Sequence, residues 1–206
     1  MTIKILNLYA GIGGNRKLWG GDIKVVAVEN NPQIAQIYKD FFPDDEVIIA
    51  DAHQYLLEHF KEFDFIWSSP PCPSHSKIRL TLGVGTGQNE AIYPDMKLYE
   101  EILLLKHYFK GEWVVENVVS YYTPLIKPYE VERHYFWSSF VITKKDFDTL
   151  FRLRTDNNKT KQEALGFDVS KYKEVDKTKI LRNCVAPEVG LFIFNLAFKE
   201  KQEVLL

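Results

Sequence analysis

The sequence predicts an α/β fold, in which a mostly parallel β-sheet carries helices on both faces. Three observations lead to this prediction. Short apolar runs of strand length alternate with helical apolar spacing through the first half of the chain. The first run ends in a glycine cluster at residues 11–14, and acidic residues close several later runs. Strands that alternate with helices form a parallel sheet, because each helical crossover returns the chain to the end where the previous strand began.

The predicted elements follow one another in a regular order. Five strands are expected, at residues 3–9, 24–29, 46–50, 64–67 and 112–116. Three helices alternate with them, at residues 32–42, 53–60 and 96–109. Pro32 fits the first turn of the first helix. A long glycine-bearing loop spans residues 74–94, one or two further strands are expected at 135–142, and Pro187 opens a last apolar helix at 186–198.

Length and composition favour one soluble domain and exclude several classes of protein. The chain has 206 residues, of which 46% are hydrophobic and 26% charged, so we expect a single domain over residues 1–206. Two cysteines do not make a disulfide framework, and no metal-ligand spacing is present. No apolar run reaches membrane-spanning length, and the first residues lack the apolar region of a signal peptide. We therefore expect a cytoplasmic protein with no metal and no membrane partner.

Charge is distributed unevenly along the chain. The formal net charge is -2, yet residues 141–182 contain eleven lysines and arginines against seven acidic residues. A protein that binds nucleic-acid phosphates needs only a local basic face. A solvated lysine-rich surface would explain the same distribution equally well.

The turn after the first strand and two acidic residues predict an adenosine pocket. Glycines at residues 11–14 let the backbone approach a ligand closely, although Arg16 stands where a dinucleotide motif needs its third glycine. Glu29 ends the second strand, where a carboxylate accepts hydrogen bonds from ribose hydroxyls. Asp51 ends the third strand, and its carboxylate could accept a hydrogen bond from an adenine amino group. Each acid alone would more often cap a helix or stand in solvent at the end of a strand, but the three features in register favour adenosine.

Cys72 is the candidate nucleophile. It follows the fourth strand, and Pro70 and Pro71 stiffen the backbone before it. The thiolate is the reactive form, so the site must either lower the pKa of the thiol or desolvate the thiol productively. Glu116 ends the fifth strand beside it, and its carboxyl could hydrogen-bond or protonate a ring nitrogen while the thiolate attacks. The alternative is that Cys72 is a small buried hydrophobic residue.

Segments spread over most of the chain resemble, in order, the motifs of the DNA cytosine-5 methyltransferase family. The resemblance runs from Asn7 to about Phe198. The first segments are residues 8–14, similar to the first motif; Glu29 and Asp51, which match the cofactor acids; and residues 71–76, similar to Pro-Cys-Gln-x-x-Ser. The later segments are residues 95–98, similar to the start of the following helix; residues 116–118, which match Glu-Asn-Val; residues 133–137, similar to the arginine-rich strand; and residues 181–186, similar to the late Gly-Asn-Ser/Ala motif.

The resemblance implies a Rossmann-like S-adenosylmethionine-dependent methyltransferase fold and a specific reaction. A cytosine is flipped out of double-stranded DNA into the pocket. Cys72 adds to C6 of the ring, Glu116 holds and partly protonates N3, and C5 takes the methyl group of S-adenosylmethionine. The loop at 74–94 would close over the flipped base.

The resemblance also assigns roles to individual residues. Catalysis would involve Cys72, Glu116, Arg133, Ser76 and Asn117. The cofactor would contact Tyr9, Ala10, Gly11, Ile12, Gly13, Gly14, Glu29, Asn30, Asp51, Ala52, Pro71, Asn183 and Cys184. The substrate would contact Pro73, Ser74, Lys77, Arg79 and His134.

Departures from the family pattern bear on function. Pro73 replaces the usual glutamine, and Arg182 stands where the family usually has glycine. The usual arginine pair is reduced to Arg133 and His134, of which Arg133 is the expected anchor for the base or the loop. Only a short basic insert, residues 141–180, stands in place of a target-recognition domain. We therefore expect short or relaxed target readout, or recognition supplied by a second subunit or a homodimer.

Other functions are consistent with parts of the sequence. Residues 69–71 also resemble the Ser/Asp-Pro-Pro motif of amino-methyltransferases, although those enzymes need an aromatic residue where Cys72 stands. One branch of the cytosine-5 family methylates tRNA, and a reduced recognition segment suits that branch. A silent binding protein on the same fold would agree with Pro73, Glu132 and Arg182. A restriction partner, an orphan modifier and a virus that infects bacteria all fit as the setting.

Overall fold

A computed structural model describes residues 2–77, 92–147 and 157–199 of the chain. The strands in these ranges are β1 (Ile3–Leu8), β2 (Ile23–Val28), β3 (Glu46–Ile48), β4 (Phe65–Ser68), β5 (Glu112–Val118), β6 (Tyr129–Val131) and β7 (His134–Ser138). The α-helices are α1 (Pro32–Phe41), α2 (Ala52–His59), α3 (Lys97–Tyr108), α4 (Asn158–Leu165), α5 (Lys177–Arg182) and α6 (Pro187–Ala197). A short 3-10 helix, Phe60–Glu62, follows α2.

The strands form one sheet in the order β3-β2-β1-β4-β5-β7-β6. From β3 to β5 every neighbouring pair is parallel. β7 runs antiparallel to β5, and β6 runs antiparallel to β7. The strand order reverses between β1 and β4, and ligands of open α/β sheets bind beyond the carboxyl ends of the strands at such a point. The topology therefore directs attention to the segments that follow β1, β2, β3, β4 and β5.

Alternate side chains of the sheet pack into two apolar layers, as the pleat of a strand requires. On one face, Ile5 and Trp67 pack with residues of α1, α5 and α6. On the other face, Leu6 and Ile66 pack with residues of α2 and α3. Helices thus cover both faces, and the mostly parallel doubly covered sheet predicted from the sequence is confirmed.

Most boundaries lie within two residues of the sequence prediction, but three elements had no prediction. β6 is a three-residue edge strand with two exposed residues, so it lacks a strand-length apolar run. In α4, the residues that are buried are Lys161 and Leu165, which leaves little apolar spacing to detect. α5 has six residues, fewer than a helical pattern needs to become visible.

The C-terminal apolar stretch departs from the expectation that no segment could span a membrane. Residues 177–197 are long and apolar enough to do so by composition. In the fold, this stretch is not one continuous helix, because the residues between α5 and α6 interrupt it. Its most apolar part is 61% buried inside the protein. It packs on one face of the sheet as a core element.

The described part of the insert folds back onto α1. Lys171 Nζ and the Tyr172 hydroxyl lie 3.0 Å and 2.6 Å from Asp40 Oδ2 on α1. Phe167 is buried in the core, and the Lys17 ammonium lies 4.1 Å from its ring centroid. The insert therefore extends the core on the α1 side, and it carries most of its lysines on the outer surface.

Candidate active site

The glycine turn follows β1 at the point where the strand order reverses. Tyr9 has a φ of +54°, Gly11 of +55° and Gly13 of +86°. Positive φ values belong to the left-handed region of backbone conformation, which favours glycine, so Gly11 and Gly13 allow the chain to make this turn without strain. The amide of Ala10 donates to the main chain of β2 at 3.0 Å, and Ile12 is buried in the core. The turn is therefore held in place on both sides.

The last motif of the chain packs behind the same turn. A Cβ on Gly14 would lie 2.5 Å from the carbonyl oxygen of Val185 and 2.9 Å from Cβ of Cys184, so glycine is required there. Burial raises the pKa of the Cys184 thiol to about 12, and the thiol donates to the carbonyl oxygen of Ile180 at 3.3 Å. Cys184 therefore supports the turn from the interior, while Asn183 ends α5 at the surface.

Two carboxylates lie at the ends of β2 and β3. Glu29 Oε2 accepts a hydrogen bond from the amide of Gly11 at 3.1 Å, and its Oε1 accepts one from Asn31 at 3.0 Å. Asp51 is exposed and caps α2 by accepting from the amide of Gln54 at 2.9 Å. Hydrogen bonding from the backbone holds the pKa of Asp51 below its ordinary value. Capping and adenine binding are compatible roles for an exposed carboxylate.

The glycine turn and these carboxylates fit the adenosine part of S-adenosylmethionine. Because β1, β2 and β3 are neighbours in the sheet, Gly11, Glu29 and Asp51 lie along one edge. Ribose hydroxyls and an adenine amino group are donors, and carboxylates accept from them. A Cβ added to Gly11 would meet no atom within 4 Å, so this position faces open space. Of the flanking candidates, Asn30 is exposed and Ala52 is buried.

A short rigid segment holds Cys72 beyond the end of β4. The side-chain amide of Asn117 on β5 donates to the carbonyl oxygen of Pro70 at 3.0 Å, and Asn117 is 2% exposed. The amides of His75 and Ser76 donate to the carbonyl oxygen of Cys72 at 2.9 Å and 3.0 Å. These bonds fix the backbone on both sides of the half-buried thiol. Asn117 thus acts on Cys72 through the backbone of the segment.

The residues that follow the nucleophile are fastened to the segment after β5. Ser76 forms an isolated antiparallel bridge with Ser120, and the amide of Tyr121 donates to the carbonyl oxygen of His75 at 3.1 Å. His75 is 1% exposed, and its Nδ1 lies 2.6 Å from the hydroxyl of Tyr122. The start of the loop is therefore anchored to the body of the protein.

The remaining substrate candidates flank this anchored turn. Pro71, Pro73 and Lys77 are exposed. Ser74 is half-buried, and its hydroxyl accepts a hydrogen bond from the main chain just before α3 at 3.0 Å. Arg79 lies outside the described residues.

Glu116 lies in the interior and interacts electrostatically with Cys72. The residue is 7% exposed, and burial raises the pKa of its carboxyl to about 7, against the opposing effects of a Ser69 hydrogen bond and the charge of Arg133. Near neutral pH this carboxyl can therefore hold a proton and can also release it. Burial and the charge of Glu116 raise the pKa of the Cys72 thiol, while the charge of Arg133 lowers it. Protonation of Glu116 thus favours the thiolate of Cys72.

His134 lies diagonally across from Glu116 on β7. Its Nε2 is 3.6 Å from Glu116 Oε1, which is longer than a hydrogen bond. Burial lowers the pKa of His134 to about 3 and raises the pKa of Glu116. Although the separation would allow an ion pair, burial favours the uncharged form of both groups, and we regard the pair as neutral. His134 Nδ1 is buried and has no hydrogen-bond partner in the described structure.

Arg133 and Glu132 form the turn between β6 and β7. Glu132 has a φ of +59°, and its carboxylate accepts from the amide of Phe147 at 2.7 Å, which fastens the start of the insert. Arg133 is exposed, and its charge lowers the pKa values of Cys72 and Glu116. Arg133 therefore acts on the catalytic end from the surface.

The structure brings most of the sequence candidates to one edge of the sheet, in two adjoining ends. The cofactor end follows β1, β2 and β3, and the catalytic end follows β4 and β5. Two candidates for cofactor binding direct their side chains into the interior: Cys184 behind the glycine turn and Tyr9 toward α3. Such an arrangement can hold an adenosine ligand beside a thiol and a protonated carboxyl group.

Two polar clusters near the site were not predicted. Glu101 on α3 is fully buried and accepts hydrogen bonds from residues next to the site. The apolar spacing of α3 places this residue on the buried stripe, so an acid at that position was a detectable signal. The contact between His75 and Tyr122 joins residues 47 positions apart, and no local pattern indicates it.

Comparison with known proteins identifies relatives of this chain. The family model for C-5 cytosine-specific DNA methylases matches residues 3–119, which include the glycine turn, both cofactor acids, Cys72 and Glu116. A tRNA (cytosine(38)-C(5))-methyltransferase from Spodoptera frugiperda is 37% identical over 79 residues, which cover 35% of this chain and 24% of that protein.

Solved structures share the fold at low sequence identity. The structure of a Spodoptera frugiperda DNMT2 mutant matches with a TM-score of 0.59 and 13% identity, and the match covers 96% of this chain and 100% of that one. The Entamoeba histolytica methyltransferase EhMeth matches with a TM-score of 0.57 and 10% identity, over 96% and 98% of the two chains.

Proposed function

Because the chain belongs to the C-5 cytosine-specific DNA methylase family, we propose that it methylates C5 of cytosine in double-stranded DNA. S-adenosylmethionine is the methyl donor of this family. The target base lies inside a duplex, so it must be flipped out to reach Cys72. The segment that matches the curated relative covers 24% of that protein's length.

Cys72 and Glu116 would carry the covalent chemistry. The thiolate of Cys72 adds to C6 of the cytosine, and the ring electrons move toward C5 and N3. Glu116 donates its proton to N3 and so stabilises the electron-rich ring. After C5 has taken the methyl group, with S-adenosylhomocysteine as the leaving group, a base removes the C5 proton and the electrons return to expel the thiolate. N3 gives its proton back to Glu116, and the ring becomes aromatic again.

The cofactor residues would orient the methyl donor beside this ring. Glu29 and Asp51 accept hydrogen bonds from its ribose and adenine, and the backbone of residues 11–14 packs against it. When bound, S-adenosylmethionine supplies an activated methyl group on a sulfonium centre. Because the end of β1 adjoins the end of β4, the glycine turn and the Cys72 segment are neighbours.

The single observation that carries this proposal is the position of Glu116, which is buried on β5 beside the segment that carries Cys72; burial raises the pKa of its carboxyl to about 7. A general acid works best when its pKa is near the working pH, because it then holds a proton and can still release it. An exposed glutamate at the end of a strand would be ionised and could not protonate N3. Burial of Glu116 on β5 is thus the physical basis of its assigned role.

Labelled methyl transfer tests the proposal. The protein is incubated with tritiated S-adenosylmethionine and long DNA of mixed sequence, and the products are analysed by nucleoside mass spectrometry and bisulfite sequencing. We expect label in 5-methylcytosine. Label in N4-methylcytosine or N6-methyladenine, or no label in any nucleic acid, would refute the proposed chemistry.

A tRNA substrate is the second candidate, because the curated relative is a tRNA cytosine-5 methyltransferase. The same incubation with total tRNA in place of DNA separates the two substrates. Label in 5-methylcytosine of tRNA and none in DNA would retain the chemistry of Cys72 and replace the substrate.

We further propose that few contacts specify the target. The insert spans only residues 141–180, and its described part contacts α1 through Lys171 and Tyr172. Bisulfite reads should therefore show a short or relaxed target sequence, unless a second subunit or a second copy supplies recognition. Light scattering on the protein with and without DNA would detect a homodimer.

A further inference from the structure

Glu101 is a buried group on α3 that the reaction described above does not use. It is 0% exposed and lies on the apolar stripe of the helix, beside Ile102. A carboxyl group removed from water is costly unless hydrogen-bond donors surround it. The donors around Glu101 therefore indicate its role.

Three donors from three different functional segments converge on this carboxyl group. The Tyr9 hydroxyl donates to Oε1 at 2.7 Å, the Ser68 hydroxyl donates to Oε2 at 2.5 Å, and His53 Nδ1 lies 3.0 Å from Oε1. Tyr9 immediately precedes the glycine turn. His53 lies in the first turn of α2, two residues after Asp51. Ser68 ends β4, directly before the segment that carries the nucleophile.

The contact with Tyr9 bears on the shape of the glycine turn. A positive φ is unfavourable for a residue with a Cβ and persists only where the surroundings over-determine it. The hydroxyl bond to Glu101 and the packing of the ring in the apolar layer of α3 hold Tyr9 in that conformation. Ala10 and Gly11 follow at once, and Glu29 holds the amide of Gly11. The orientation of Tyr9 therefore sets the direction of the turn that faces the cofactor.

We propose that Glu101 is a positioning residue that aligns the cofactor turn with the nucleophile segment. This inference rests on the proposed function, since both ends of the site belong to it. Glu101 acts through two branches. The branch through Tyr9 and His53 shapes the cofactor end, and the branch through Ser68 fixes the start of the Cys72 segment.

Calorimetric titration with S-adenosylhomocysteine tests the cofactor branch without any methyl transfer. Tyr9→Phe keeps the ring and removes the hydroxyl donor. The Kd should rise about tenfold, which is the effect expected from the loss of one hydrogen bond to a carboxyl group. Tyr172→Phe is the matched control, because it removes a tyrosine hydroxyl that lies 2.6 Å from Asp40 Oδ2 on α1 and does not contact Glu101. Its Kd should equal that of the unmodified chain. Equal Kd values for Tyr9→Phe and the unmodified chain would overturn the proposal.

Steady-state kinetics test the second branch. Ser68→Ala should lower kcat about tenfold at saturating cofactor, while its Kd for S-adenosylhomocysteine stays within twofold. Glu101→Gln should raise the Kd for S-adenosylhomocysteine and also lower kcat, because the single oxygen of an amide cannot accept hydrogen bonds from all three donors. A merely structural network would lower the melting temperature of all three variants without this division between Kd and kcat, and that result would contradict positioning.

The two proposals fail in different ways. If the chain binds S-adenosylhomocysteine but methylates no nucleic acid, the proposed function fails and the comparison of Tyr9→Phe with Tyr172→Phe still decides the role of the cofactor branch. If Glu101→Gln does not fold, Tyr9→Phe and Ser68→Ala still test whether Glu101 is a positioning residue. Each of them removes one hydroxyl group and leaves the carboxyl group of Glu101 in place.

Discussion

The acidic residues at the two ends of the site lie in opposite environments, one accessible to solvent and the other buried. At the cofactor end, Asp51 is exposed and Glu29 half-buried, and both accept hydrogen bonds from main-chain amides. At the catalytic end, Glu116 is 7% exposed and its pKa rises to about 7. The cofactor end thus offers accessible acceptors, whereas the catalytic end holds a buried group that can give up a proton near neutral pH. Burial, and not residue type, distinguishes the acids of the two ends.

Removal of the Cys72 thiol should cause the largest loss of methyl-transfer activity and should leave cofactor binding unchanged. Cys72→Ala should lower the rate of methyl transfer by roughly a thousandfold or more, because the other cysteine, Cys184, is buried behind the glycine turn and cannot replace the thiol. Tritium transfer to DNA and to tRNA measures the rate. The Kd for S-adenosylhomocysteine and the melting temperature should stay close to those of the unmodified chain. Retention of full activity would show that the covalent mechanism is wrong.

Glu116→Gln should lower activity by about a hundredfold or more and, at the same time, stabilise the protein. The folded pKa of about 7 lies above the unfolded value of 4.5, so the native state keeps a proton that the unfolded state releases. Stability of the unmodified chain therefore falls as the pH rises through this window. At pH 8 the variant should be more stable by on the order of 2 to 3 kcal/mol, measured by urea unfolding. A variant less stable than the unmodified chain at pH 8 would mean that Glu116 is held as an ion in the fold.

His134 should give the opposite pH slope. Its folded pKa of about 3 lies below the unfolded value of 6.5, so its contribution to stability is lost as the pH falls below 6.5. Between about pH 4.5 and 6.5, Glu116 and His134 change the free energy of unfolding in opposite directions, each by about 1.4 kcal/mol per pH unit. The two contributions cancel, so this pair should make the stability of the unmodified chain depend little on pH in this range. Urea unfolding across this range should show stability that falls with acid in Glu116→Gln and rises with acid in His134→Asn. Stability that does not change with pH across this range in either variant would contradict the two shifted pKa values.

The smallest effect is expected at the cofactor end. Asp51→Asn keeps a good helix cap and removes the charge, so it separates capping from adenine binding. The melting temperature should change little, and the Kd for S-adenosylhomocysteine should rise about threefold to tenfold, as calorimetry would show. If Asp51→Asn binds as tightly as the unmodified chain, the carboxylate only caps α2.

The sequence predicts the sheet and the positions of the site residues because both follow from local periodicity. Apolar runs mark the strands, and the site residues stand where those runs end. The electrostatics do not follow from local pattern, since the pKa of Glu116 depends on burial by distant segments. The Glu101 cluster is likewise beyond local pattern, because Tyr9 and Glu101 are 92 residues apart. The packing of the insert on α1 is also long-range, with Tyr172 and Asp40 separated by 132 residues.

Covalent trapping at Cys72 tests the central claim most directly. Long DNA of mixed sequence that contains 5-fluorocytosine is incubated with the protein and S-adenosylmethionine, because fluorine at C5 cannot leave as a proton does and the adduct at C6 persists. We predict a denaturation-resistant complex that forms only with the cofactor and whose linked peptide, identified by mass spectrometry, carries the base on Cys72. The absence of an adduct with both DNA and RNA substrates, or an adduct mapped to another residue, would contradict the assignment of Cys72 as the nucleophile.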